Sequence, residues 1–189
     1  SGAAERIELE RFDRDEVREL VRAVVGDEPP AELVERTYVR SDGNVFFAEE
    51  LLAAEGEYGA SMPPTLRESV LARVDALGEP AQAVLRCAAV IGRTADHRLL
   101  EAAAGLGPLE LRAGVREAVA QQLLVTDAEG IEYRFRHALV REAVEDDLLP
   151  VDRVALHSRV AEALGEHPEW FDGGRAQLLA ELACHWDSA

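Results

Sequence analysis

Apolar residues in this chain recur mostly at three- and four-residue intervals, the period of an amphipathic helix. Asp13 is a good N-cap, and Glu16 three residues later completes a capping box. The helix that follows would bury Val17, Leu20, Val21 and Val24 and stop near Gly26. After a turn at 27–30 a second helix is expected over 31–40, ended by Ser41-Asp42-Gly43-Asn44, a strong break. A third carries Phe46, Phe47, Leu51 and Leu52, with a linker at 56–60. Pro63-Pro64-Thr65 opens a helix whose stripe is Leu66, Val70, Val74 and Leu77. Pro80 starts another, rich in small residues, which runs to Ile91-Gly92. Helices over 95–104 and 109–122 follow.

The period then changes. Residues 123–126 are apolar and β-prone, 127–130 form a turn, and Ile131, Tyr133 and Phe135 alternate strictly with charged residues. Strand, turn, strand is a β-hairpin. Three helices and a hairpin in that order make a winged helix, with the hairpin as the wing. Beyond it, 137–149 is expected to be helical. After Pro150, 151–164 is helical again, with Val154, Leu156, Val160 and Leu164 as buried candidates, and 175–186 is a final helix. At the other end, residues 6–12 (RIELERF) alternate like a short strand, with Ile7 and Leu9 on one face and Phe12 as a third candidate. No partner strand lies nearby in the sequence.

Composition agrees with a mainly α fold. Hydrophobic residues make up 48% of 189, enough for a core, but aromatics only 5%. The core must be Leu, Val and Ala, which favours helices over a sandwich or barrel. The 37 acidic and 20 basic residues give a net charge of −17, and every basic residue is Arg. Without Lys the chain alone builds neither a P-loop nor a Schiff-base site. Its acidity argues against sequence-independent nucleic-acid binding and against an anionic membrane. No apolar run approaches the ~18 residues that span a bilayer, and no signal peptide is evident, so the chain reads as cytoplasmic. Cys87 sits in an apolar run and reads as a buried reduced thiol. No histidines show the i, i+4 spacing of a zinc site, and the adjacent Cys184 and His185 would point apart on a helix, so no metal site is expected. Glu49-Glu50 and Asp146-Asp147 read as solvated faces. No nucleophile–base arrangement stands out, and no catalytic residue is assigned.

Two segments together carry a resemblance. The first is GNVFFAEEL (43–51), followed by Pro63-Pro64-Thr65-Leu66-Arg67. The second is YRFRHALVREAV (133–144), followed by Leu148-Leu149-Pro150 and Leu156-His157. In this order and spacing the chain resembles the STAND signal-transducing ATPases, and among them the large ATP-binding transcriptional regulators of the LuxR type. The resemblance covers nearly the whole chain. It implies a P-loop ATPase core upstream of the chain, which would account for the missing Lys. It also implies helical repeats downstream and a distal DNA-binding helix-turn-helix. Residues 1–12 would then end the core, 13–78 form a helical lid, 79–149 the winged-helix domain, and 150–189 a helical connector at the start of the repeats.

The same resemblance nominates a nucleotide contact at Gly43, Asn44, Val45 and Phe46, where the family has Gly-Asn-Pro-Phe-Phe. Val45 replaces the proline that presses on the adenine, so only its apolar surface is left for that contact. Read from the residues alone, the turn is equally a helix start, with Phe46 and Phe47 in the core. His137 resembles the winged-helix histidine that reaches the ADP β-phosphate in relatives. A helix N-terminus favours an anion, and Arg134 and Arg136 add positive potential. A histidine satisfied by a backbone carbonyl is the structural alternative. The implied function is a nucleotide-state switch with no catalysis by this chain alone. ATP or ADP would be bound by the parent, and tight binding to the isolated chain is not expected. The alternatives are a stand-alone helical protein-interaction module and a DNA-binding winged helix. The reading helix of the latter, 109–122, carries Glu110, Arg112, Arg116 and Glu117, which sum to no charge.

Overall fold

The computed structural model describes residues 11–58, 62–171 and 174–189, with the side chains of 54–58 excepted. Among the described residues the chain is mainly α with one small antiparallel sheet, and it divides into two compact units, Ser1–Leu66 and Arg67–Ala189. The strand expected over 6–12 falls almost wholly on residues outside those described.

The first unit holds helices α1 (Arg14–Val25), α2 (Ala31–Ser41) and α3 (Val45–Tyr58). The Asp13 carboxylate accepts from the Asp15 and Glu16 N–H groups (2.8 and 2.9 Å), and Glu16 Oε2 accepts from the Asp13 N–H (2.8 Å). Orphan donors at the helix start are thereby satisfied, as the sequence predicts. Gly26 closes α1 in the left-handed conformation (φ 84°). Val17 and Val21 form a core with Val34 and Leu52, and Phe12, Leu20, Leu33 and Tyr38 pack around it. Val24 does not join them. It is exposed, as is Val25, because the last turn of α1 runs past this cluster. The linker expected at 56–60 is also corrected, since α3 runs on to Tyr58.

Helix α4 (Pro64–Asp75) carries the chain across the division, and Leu66, Val70, Val74 and Leu77 are all buried. The second unit is built around α5 (Glu79–Ile91), whose Ala81, Val84, Leu85, Cys87, Ala88, Ala89 and Val90 are all buried. Strand β1 (Ala95–Asp96), α6 (His97–Ala103), α7 (Pro108–Ala120), β2 (Leu124–Thr126) and β3 (Glu132–Phe135) follow. Both strand pairs are antiparallel and the sheet order is β1-β3-β2. Ala95 lies opposite Tyr133, and Leu124 opposite Phe135. This is the winged-helix plan. The third strand is the surprise, because two residues are too few to show alternation. The wing turn is held by Asp127, whose Oδ1 accepts from the Ile131 and Glu132 N–H groups (2.9 and 3.1 Å). Ile131, which opens the alternating run with Tyr133 and Phe135, stays outside the strand and is exposed.

Helices α8 (Ala138–Asp146), α9 (Pro150–Glu166) and α10 (Arg175–Asp187) complete the unit, with a 3-10 turn at Pro168–Trp170. Helix α9 packs on α5 and α6, and α10 packs on α9. Leu156, Val160 and Leu164 are buried, but Val154 is exposed. Residues two apart on a helix stand roughly 200° apart, so Val154 and Leu156 cannot share a face. Cys87 is a buried free thiol, and burial pushes its pKa up to about 12 against the smaller opposing charge of Arg159.

Candidate functional site

The four residues of the sequence-nominated turn belong to the first unit and His137 belongs to the second. In the turn, Asp42 and Gly43 both take positive φ (53° and 71°), which ends α2 and reverses the chain. Gly43 is buried against the segment before α1. Its carbonyl accepts from the Phe12 N–H (2.9 Å), and Arg11 pairs with Asp42 beside it. A Cβ added at Gly43 would meet the Phe12 carbonyl oxygen well inside contact distance. Only glycine meets both demands, the left-handed backbone and the close approach. Gly43→Ala should therefore destabilise the first unit by about 2 kcal/mol. Hydrogen exchange of the amides in α1 to α3 checks it: faster exchange there, with the second unit unaffected, is expected.

Asn44 starts α3. Its carbonyl accepts from the Ala48 N–H (2.9 Å) and its side-chain oxygen from the Phe47 N–H (3.4 Å). Val45 is half-buried. Phe47 is buried, but Phe46 is 53% exposed, its ring 5.9 Å from that of Phe47. The expectation of two core phenylalanines is thus half right. Neighbouring helical residues point about 100° apart, so only one of the pair faces inward. What the turn presents outward is one aromatic ring beside a half-buried valine.

His137 is the N-cap of α8, extended at φ −133° and ψ 137°, and half-buried. Its carbonyl accepts from the Val140 N–H (3.1 Å). The preceding Arg136 N–H donates to the Leu123 carbonyl (2.9 Å), which ties the start of α8 to the residue before β2. Arg134, on β3, is exposed. The site thus combines a helix start, an imidazole and a guanidinium within four residues. That chemistry suits an anion.

The structure also joins two residues that spacing kept apart. His157 on α9 and His185 on α10 meet with their Nδ1 atoms 2.7 Å apart, and they are 6% and 3% exposed. One Nδ1 must carry a proton and the other accept it, so only one hydrogen fits the contact. Burial lowers the pKa of His157. Burial, and then the charge of His157, brings His185 down to about 4. A signal existed, because His157 shares a helical stripe with Val160 and Leu164, and His185 with Leu178 and Leu182. The pair joins two helices, so i, i+4 spacing within one helix does not reveal it.

The chain matches no protein-family model and no curated protein sequence. Among the described residues, no group of three or more His, Cys, Asp or Glu is placed to hold a metal ion, and no helix is long and apolar enough to cross a membrane.

Proposed function

We propose that the chain is the regulatory segment of a cytoplasmic, ATP-dependent transcriptional regulator resembling the LuxR-type STAND proteins, and that it performs no catalysis itself. The observation that carries this reading is the order of the two units. A helical unit whose tight turn presents Phe46 is followed by a winged helix whose His137 opens α8. In the parent, a P-loop core upstream would bind ATP or ADP, and helical repeats and a DNA-binding helix-turn-helix would lie downstream. Gly43, Asn44, Val45 and Phe46 would meet the base, and His137 the β-phosphate of ADP. Contacts that differ between the two nucleotides would then bias a rigid-body shift.

Calorimetry on the parent tests it, comparing ADP and ATP for wild type and His137→Ala. ADP affinity should fall selectively by about 1.5–3 kcal/mol, the worth of a charge-assisted hydrogen bond. Unchanged affinity for both nucleotides, with the fold intact, would sink the switch role of His137.

A second reading is a helical protein-interaction module with no nucleotide link. It draws on α10, where Leu179 and Trp186 lie seven residues apart on one face and are both exposed. A parent that binds neither nucleotide would favour it. Direct DNA binding has less support: α7 presents Arg112 and Arg116 beside Glu110, in a chain of net charge −17.

A further inference from the structure

A cavity of about 420 Å³ opens in the second unit, where the edge strand β1 meets the C-terminal helices. Leu99, Leu164, Trp170 and Phe171 supply its apolar wall. The wall is preformed: His167 stacks on Trp170 at 4.0 Å, and the Arg98 guanidinium lies 5.8 Å from the Trp170 ring centroid. The volume falls within the roughly 300–1,000 Å³ typical of small-molecule sites.

Charge around the cavity is unbalanced. Asp96 is already matched, because Arg98 donates to both its oxygens (3.0 and 2.7 Å). Burial works against the Asp96 carboxylate, yet the bonds and charge of Arg98 hold it below the usual range. Glu132 on β3 and Glu181 on α10 also line the cavity, and among the described residues neither has an ion-pair partner. Arg93 is the one guanidinium of the lining, and it too has no such partner. His185 closes one side. With its Nδ1 held by His157 and its pKa brought down to about 4, it is neutral at physiological pH and does not oppose a cation.

We propose that this cavity binds a small amphipathic organic cation, its ammonium directed at Glu132 and Glu181 and its apolar body against Leu164 and Trp170. Buried apolar area supplies adhesion, and the two carboxylates select charge. The proposal is independent of the nucleotide switch, since the lining includes neither the Gly43–Phe46 turn nor His137.

The test uses the 189-residue chain carrying Trp186→Phe, which leaves Trp170 as the only indole. Phenethylammonium, phenethyl alcohol and hydrocinnamate, alike in shape but cationic, neutral and anionic, are titrated while Trp170 emission is followed. Phenethylammonium should bind saturably and about tenfold more tightly than either analogue, as expected for a charged hydrogen bond. That margin should vanish in Glu132→Gln/Glu181→Gln, a pair of near-isosteric changes. Equal binding of all three probes, preference for the anion, or no saturable binding of the cation each overturns the proposal. So does an unchanged preference in the double variant. If that variant fails to fold, the charge preference of the parent chain decides alone.

Discussion

Gly114→Val should destabilise the second unit by at least about 3 kcal/mol, at or beyond the upper end of ordinary overpacking costs. Helices α5 and α7 approach so closely at Gly114 that an added Cβ would lie 2.5 Å from the Pro80 carbonyl oxygen. It would also lie 2.7 Å from the Pro80 carbonyl carbon and 3.0 Å from the Ala81 nitrogen. All three are backbone atoms and cannot rotate aside. The intrinsic gain from removing a helical glycine, about 1 kcal/mol for Ala and less for β-branched Val, is therefore outweighed. To make room, α7 must lift from α5, opening the contact that buries Val84, Leu85, Leu111, Val115 and Ala118. Gly114→Ala should fall between wild type and Gly114→Val. Urea unfolding followed by tryptophan emission reads this directly, because Trp170 and Trp186 both lie in the second unit. Gly165→Ala is the control. It sits in α9 where a Cβ meets nothing within 4 Å, so it should be neutral or slightly stabilising. A neutral Gly114→Val would mean that the two helices do not need glycine between them.

Gly114 also shows where the sequence was readable and where it was not. The helices were legible because burial follows a 3.6-residue period, and the capping box at Asp13 and the breaks at Gly26 and Gly43 marked their ends. The hairpin was legible because alternation runs through Glu132–Phe135 around a turn rich in Asp and Gly. Nothing in the pattern said that Gly114 was a contact between helices, since a glycine inside a helix looks the same whether a backbone or open water lies opposite it. β1 was hidden for a related reason: it exists only because Ala95 and Asp96 meet Tyr133 and Glu132, far along the chain. At the candidate site, the Gly43 turn was readable from its own residues, but which of Phe46 and Phe47 faces inward was not. The cavity and the His157–His185 pair depend on how α9 and α10 pack, and no local signal fixes that.

That pair should make the second unit lose on the order of 2 kcal/mol of stability between pH 7 and pH 5. An unfolded histidine titrates near its ordinary value of 6.5, whereas folding brings His185 down to about 4 and lowers His157 as well. Well above pH 6.5 both rings are neutral in either state, and the full stability is present. As the pH falls below that, the unfolded chain takes up protons that the folded chain refuses. Stability then declines by up to about 1.4 kcal/mol per pH unit for each such group, until the folded pKa is reached. Burial is the main cause for both rings. For His157 the charge of Glu145 works against it and that of Arg153 with it. The window from 7 to 5 brackets the ordinary imidazole range. Comparing the wild type with His157→Leu/His185→Leu separates this pair from His97, His137 and His167 in the same unit. The leucine pair should be at least as stable at pH 7 and markedly flatter toward pH 5, since apolar side chains replace a buried polar contact without a titrating group. Urea midpoints at both pH values decide it. A wild type that is flat across the window, or a double variant as steep as the wild type, would mean that the imidazoles are free to take up protons where they stand and that the α9–α10 contact is open to water.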